Sequence, residues 1–318
     1  MKKLKNILIR NFPLPDGSKE SFKVSYQIFG QELHTAPIIL INHALTGNSS
    51  VAGEDGWWKE VVGDSKAIDL RRYTVIAFDI PGNGYNHVAP IERYTLLTTK
   101  IVGNLFWKAL DSLGVVQLYA ILGGSLGGSV AWEMLFQRPD SIQKLIPIAC
   151  TLKSSDWLIG NAHVQESILS NSQNPLEDAR KHAMLLYRTP NSFRAKFKGR
   201  QSESGFAVEH WLIHHAEQLK SRYTLPSYRL MNHLLKTIGE NRAKDEVEKI
   251  FRNCKTEIHT IAVDSDYMFT REEQIETYKI IRKYKKNASY GEIKSLHGHD
   301  AFLIEFQQLN KLLISILS

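Results

Sequence analysis

The sequence predicts an α/β fold in which a mostly parallel sheet is flanked by helices. Three observations carry that expectation: short apolar runs rich in β-branched residues, helical stretches between them, and a mid-chain break after which the rhythm resumes. Runs of this kind suit strands buried on both faces of a parallel sheet. Their alternation with helices is the pattern of a doubly wound sheet. The runs are Pro37-Ile38-Ile39-Leu40-Ile41, residues 73–78, residues 118–121, Leu145-Ile146-Pro147-Ile148-Ala149 and residues 258–263. Residues 22–29 alternate more and read as an antiparallel edge strand. Residues 96–113 and 129–137 carry helical patterns, the second ending where Pro139 cannot continue it, and residues 302–317 form an amphipathic helix. From about residue 153 to 248 the strand signal vanishes. That stretch is polar, helical and rich in Arg, Lys and His, with Pro175, Pro190 and Pro226 as punctuation. Residues 153–248 therefore read as a helical lid inserted into a core made of residues 1–152 and 249–318.

Composition narrows the classes. A chain of 318 residues can bury a large core and carry an inserted subdomain. The net charge of +7, from 40 basic and 33 acidic residues, favours an anionic ligand such as a phosphorylated co-substrate, and also fits plain solubility. No basic block interleaved with aromatics points to nucleic acid. Met1-Lys2-Lys3-Leu4-Lys5 opens as a signal peptide does, but the apolar run Ile7-Leu8-Ile9 is too short and Arg10 interrupts it. No eighteen apolar residues run together, so no membrane span is expected. Two cysteines, Cys150 and Cys254, fit a reducing compartment, and a cytoplasmic location is the expectation.

The chemistry starts at Leu122-Gly123-Gly124-Ser125-Leu126-Gly127-Gly128, between a strand run and a helical run. A G-x-S-x-G in that place is the nucleophile elbow of the α/β-hydrolase fold. The glycines serve a turn too tight for a Cβ beside the neighbouring strand and helix. A serine hydroxyl becomes a nucleophile only when a base takes its proton, and the base works best when a carboxylate fixes its tautomer. In this fold the chain order is Ser, acid, His. Ala262-Val263-Asp264-Ser265-Asp266 ends a strand with two carboxylates, and Leu296-His297-Gly298-His299-Asp300 places two histidines before the last helix. On the residues alone, Asp264 or Asp266 serves as acid and His297 or His299 as base. An oxyanion hole needs two main-chain N–H groups. Leu126, after the nucleophile, and Leu45, in the loop Asn42-His43-Ala44-Leu45-Thr46-Gly47, are the expected donors.

Together these motifs resemble the homoserine O-acetyltransferase family of α/β-hydrolase-fold enzymes, over roughly residues 38–312. The resemblance rests on His43-Ala44-Leu45-Thr46-Gly47, Trp57-Trp58, Val62-Gly63, Lys66-Ala67-Ile68-Asp69, Arg72-Tyr73, the Ser125 elbow, residues 144–149, Asp264-Ser265-Asp266 and Gly298-His299-Asp300-Ala301-Phe302-Leu303. It implies Asp266 as acid, His299 as base and Asp300 as the group that meets the homoserine amine and hydroxyl. It also implies a lid arginine for the homoserine carboxylate, eight residues before the arginine of a Tyr-Arg pair. Arg180 stands eight residues before Arg188 in Tyr187-Arg188. A guanidinium for the carboxylate and an anion for the ammonium suit an amino-acid zwitterion. The implied activity is ping-pong acetyl transfer from acetyl-CoA through Ser125 to L-homoserine, a step of methionine biosynthesis. Acetyl-CoA is a co-substrate, no cofactor is held permanently, and a homodimer through the lid is implied.

Two segments depart from the family: the stretch between Trp157 and Arg180 is shorter than its pattern, and residues 79–84 replace an asparagine- and glycine-rich segment. Asp79-Ile80-Pro81-Gly82-Asn83-Gly84 has the form of a general hydrolase loop and opens the rival readings: a serine ester hydrolase, or a transferase with another donor or acceptor such as succinyl-CoA or serine. A non-catalytic ligand sensor is a third reading, disfavoured by an intact nucleophile, acid and base. His210 and His214 share a helical face, but Trp211 stands where H-E-x-x-H needs glutamate, so no metal is expected. The basic run Arg188, Arg194, Lys196, Lys198 and Arg200 reads as a solvated face. Trp57 and Trp58 read as packing.

Overall fold

The computed structural model describes residues 4–85 and 89–318; residues 1–3, part of the stretch weighed as a signal-peptide start, lie outside them. The first half runs β1 (Lys5–Pro13), β2 (Lys19–Gly30), β3 (Ile38–Asn42), β4 (Thr74–Phe78), α1 (Thr99–Ser112), β5 (Leu118–Gly124), α2 (Leu126–Gln137) and β6 (Ile142–Ile148). Then follow α3 (Asp156–Asn171), α4 (Pro175–Tyr187), α5 (Pro190–Phe197), the two-residue strands β7 (Gln201–Ser202) and β8 (Gly205–Phe206), α6 (Ala207–Lys220), α7 (Leu225–Lys236) and α8 (Lys244–Asn253). The chain closes with β9 (Glu257–Val263), α9 (Arg271–Tyr284), β10 (Ala288–Ile293) and α10 (Phe306–Leu317).

The main sheet has the order β1-β2-β4-β3-β5-β6-β9-β10. From β4 to β10 its neighbours are parallel, and β2 runs antiparallel to both β1 and β4. Every residue of β3 and β4 is buried, as their unbroken apolar sequence requires. Alternation along β3 sends Leu40 into the core under α1 and α2, and Ile39 and Ile41 into the opposite core with Trp58 and Leu309, Leu313 and Leu317 of α10. The two-sided burial fixes the register, since a one-residue slip would exchange the two cores.

The sheet differs from the sequence expectation at its two borders. Residues 22–29 belong to β2, which is antiparallel as expected but is not the edge, because β1 pairs along its outer side. The alternation in β1 is weak: Ile9 is buried while Leu8 between its apolar neighbours is exposed. At the far border β10 reads Ala-Ser-Tyr-Gly-Glu-Ile, and only its last residue is buried, so it carries no apolar run. The final helix begins at Phe306, later than expected, because residues 298–303 form a short 3-10 turn.

Between β6 and β9 the chain is helical apart from the small β7–β8 hairpin. The expected boundary at residue 248 falls inside α8. Phe251 of that helix packs against Trp132 and Phe136 of α2, with ring centroids 6.0 and 5.8 Å apart. Helix α8 therefore sits on the core rather than with the segment before it.

Candidate active site

At the carboxyl end of β5 the chain turns at Ser125 with φ 56° and ψ −129°, a region that non-glycine residues seldom occupy. Such strain costs about 1–3 kcal/mol and persists only where its surroundings over-determine it. Here they do. A Cβ on Gly124 would run into the Phe302 ring, and one on Gly127 into the main-chain oxygens of Asn42 and His43. Helix α2 is thereby pressed against β3, and Ser125 is held at its N-terminus. The Ser125 amide donates to the Ile148 carbonyl at 2.8 Å, which ties the elbow to β6.

Ser125 Oγ lies 2.8 Å from His299 Nε2, and His299 Nδ1 lies 2.7 Å from Asp266 Oδ2. With Nδ1–H donating to the carboxylate, Nε2 is left to accept the serine proton. Asp266 Oδ1 accepts the amides of Met268 and Phe269 at 2.7 and 3.0 Å, so the carboxylate is fixed on both sides. Burial alone lowers the His299 pKa, but the charge and hydrogen bond of Asp266, with the charge of Asp300, outweigh it and leave it raised. The alternatives go elsewhere. Asp264 accepts the Ser295 amide at 2.9 Å and ties one loop to another. His297 Nδ1 meets Ser192 Oγ at 3.0 Å and Arg188 Nη2 at 3.4 Å.

The loop after β3 is a turn closed by the Gly47 amide on the Ala44 carbonyl at 3.0 Å. Among the described residues no group accepts from the Leu45 or the Leu126 amide, which leaves both free for a ligand oxygen. The departing segment, residues 79–84, helps build this loop. Buried Asp79 accepts Ser25 Oγ at 2.8 Å, the Ser49 amide at 2.7 Å and Ser49 Oγ at 2.9 Å. The Ile80 amide donates to His43 Nε2 at 3.0 Å. Burial lowers the His43 pKa, in keeping with a neutral ring that accepts at Nε2 and donates from Nδ1 to the Ala44 carbonyl at 2.7 Å.

Arg180, on α4, presents two buried guanidinium atoms, Nε and Nη1, that have no hydrogen-bond partner among the described residues. Its guanidinium carbon sits 5.6 Å from the Tyr187 ring centre, and that ring lies 5.9 Å from the His299 ring. Burial raises the Asp300 pKa, while the charges of His299, Arg180 and Arg188 oppose the rise. Sequence reasoning used Tyr187-Arg188 only to place Arg180, yet both belong to the site. Arg188 is no solvated cation: its side chain is 12% exposed and Nη1 reaches Asp300 Oδ2 at 3.5 Å. The expectation fails for it because one residue of a basic run faces inward at the end of α4. Arg194, Lys196, Lys198 and Arg200 are exposed.

The remaining candidates stay apart from this chemistry. Among the described residues no cluster of three His, Cys, Asp or Glu side chains could hold a metal. Trp58 is fully buried, and its indole N–H donates to the Phe302 carbonyl at 3.3 Å. Burial pushes up the Cys150 thiol pKa, and its sulfur packs against Gly128 of α2.

Comparison with known proteins places the chain. A family model described as the α/β hydrolase fold matches residues 37–304. Homoserine O-acetyltransferase of Salinibacter ruber is 30% identical over 91% of this chain and 90% of its own length. The enzyme of that name from Nautilia profundicola is 30% identical over 94% and 93%. The chain belongs to the homoserine O-acetyltransferase family. Solved structures show the same fold. The homoserine O-acetyltransferase of Bacillus anthracis superposes with a TM-score of 0.89 at 17% identity, covering 100% of this chain and 98% of that one. Esterase E22 superposes at 0.87 and 18%, covering 100% of both. A serine, a histidine and an aspartate within hydrogen-bond reach of one another, beside two buried guanidinium donors without a partner, can form an acyl-enzyme and bind a carboxylate.

Proposed function

We propose that this protein is a ping-pong homoserine O-acetyltransferase with Ser125, His299 and Asp266 as its catalytic residues. His299, oriented by Asp266, takes the Ser125 proton as Oγ attacks the acetyl-CoA thioester carbonyl. The Leu45 and Leu126 amides hold the oxyanion. Collapse expels the coenzyme A thiolate, which takes the proton from His299 and leaves acetyl-Ser125. L-Homoserine then binds with its carboxylate on Arg180 and its ammonium beside Asp300. Its hydroxyl gives a proton to His299 and attacks the acetyl carbon, and Ser125 recovers the proton as O-acetylhomoserine forms. The product would serve methionine biosynthesis. Acetyl-CoA is a co-substrate, both substrates are small molecules, and self-association through the lid completes the reading. No helix of the described residues is long and apolar enough to cross a membrane, in keeping with a cytoplasmic enzyme.

The observation that carries this reading is half-buried Arg180, whose guanidinium Nε and Nη1 are buried without a hydrogen-bond partner among the described residues, beside Tyr187 and within electrostatic reach of Asp300. Buried donor atoms without an acceptor are costly unless a ligand supplies one. An ester hydrolase has no use for an amino-acid clamp. Initial rates against both substrates test the proposal: parallel double-reciprocal lines are expected, and an Arg180→Lys variant should raise the KM for homoserine. Residues 79–84 favour the hydrolase reading, under which acetyl release would proceed at one rate with or without homoserine.

A further inference from the structure

Two adjacent residues of the turn between α6 and α7 grasp two adjacent carbonyls of the loop that carries Leu45. The Tyr223 hydroxyl donates to the Leu45 carbonyl at 3.2 Å, and Arg222 Nη1 donates to the Thr46 carbonyl at 3.3 Å. The Tyr223 side chain is buried, and its ring meets Tyr228 of α7 edge to face at 6.0 Å. The turn that presents it is braced: the amides of Arg222 and Tyr223 both donate to the Leu219 carbonyl at 2.9 Å, and Thr224 caps α7. Helix α7 also packs on the Asp79 segment, since a Cβ on Gly82 would meet Leu230 at 2.7 Å and one on Gly84 would meet Ser227 Oγ at 3.0 Å.

We propose that Tyr223 is a positioning residue that latches the lid to the oxyanion loop. Leu45 and Thr46 are the two central residues of the turn closed by Gly47 on Ala44. The Tyr223 hydroxyl on the Leu45 carbonyl and the Arg222 guanidinium on the Thr46 carbonyl hold both central residues of that turn. The turn that carries the Leu45 amide is thus held in place from the lid, and that amide keeps its aim at the developing charge while Tyr223 is seated. This inference rests on reading Ser125 as the nucleophile and the Leu45 amide as an oxyanion donor.

A Tyr223→Phe variant keeps the ring and removes the donor. Three quantities test it: kcat/KM for acetylation of Ser125 by p-nitrophenyl acetate, inhibition by methylboronic acid as a tetrahedral mimic, and homoserine binding by calorimetry. The first two should weaken in parallel by about tenfold, the effect of one modest hydrogen bond on a rate. Homoserine affinity should stay within about twofold. An Arg222→Gln variant releases the Thr46 carbonyl and should shift the same two quantities in the same direction, which keeps the test open if Tyr223→Phe does not fold. Unchanged acetylation, an unchanged boronate constant, or an equal loss of homoserine affinity would overturn the latch. If the wild-type protein takes no acetyl group from p-nitrophenyl acetate, the nucleophile reading fails first, and that outcome is distinct from a variant that acetylates as fast as wild type.

Discussion

Arg180 separates stability from function at the scale of a single residue. Each buried, unsatisfied polar atom costs roughly 1–3 kcal/mol in the free protein. Replacing Arg180 with Met keeps an apolar stem against Tyr187 and removes the two orphaned nitrogens. Thermal unfolding should therefore show a Tm higher by a few degrees, while the KM for homoserine rises by about 100-fold. A lower Tm with an unchanged KM would contradict the assignment. The two candidate acids divide in the same way. Asp266→Asn should cut kcat by about 10⁴-fold, because the amide no longer fixes the useful tautomer of His299. Asp264→Asn weakens only a tie to the Ser295 amide and should leave the rate within a few-fold. The pH profile follows from the raised His299 pKa. The base works only when neutral, so the acylation rate should fall as pH drops through a value above the usual imidazole range near 6.5. A limb below that range would conflict with the Asp266 contact.

At the scale of elements, the elbow was legible because its requirements are local. Strand, glycines, serine and helix are consecutive, although the atoms that exclude a Cβ, at Phe302, Asn42 and His43, lie far away in the sequence. A Gly127→Ala variant, which forces a methyl onto the carbonyls of Asn42 and His43, should lose several kcal/mol in denaturant unfolding or fail to fold. Wild-type stability would show that α2 can move away from β3. The acid and base were legible only as pairs. Both Asp264 and Asp266 sit at one strand end, and what separates them is which way each carboxylate turns, a tertiary property. The family resemblance named Asp266 and His299, and the geometry brings those two to Ser125. Strands β1 and β10 escaped because border strands bury too little to show an apolar run. Arg188 escaped because nothing in a run of like charges marks the one that turns inward onto Asp300.

At the scale of the whole molecule, the site is assembled from distant parts of the chain. The core supplies Ser125, Asp266, His299 and the turn at residues 44–47. The helical segment after β6 supplies Arg180, Tyr187, Arg188 and Tyr223. The same helical segment exposes Trp157, Val164, Leu185 and Ile213. Light scattering should give the mass of a dimer, and Leu185→Glu with Ile213→Glu should give a monomer. A wild-type monomer at micromolar concentration would remove the proposed self-association.

In the proposed reaction Ser125 carries an acetyl group and hands it to homoserine. Intact mass and free thiol, followed together after adding acetyl-CoA, test it most directly. Without homoserine a stable acetyl adduct on Ser125 and a single stoichiometric release of thiol are expected; with homoserine, loss of the adduct and continuous release. Continuous thiol release that is indifferent to homoserine, or no adduct at all, would contradict it.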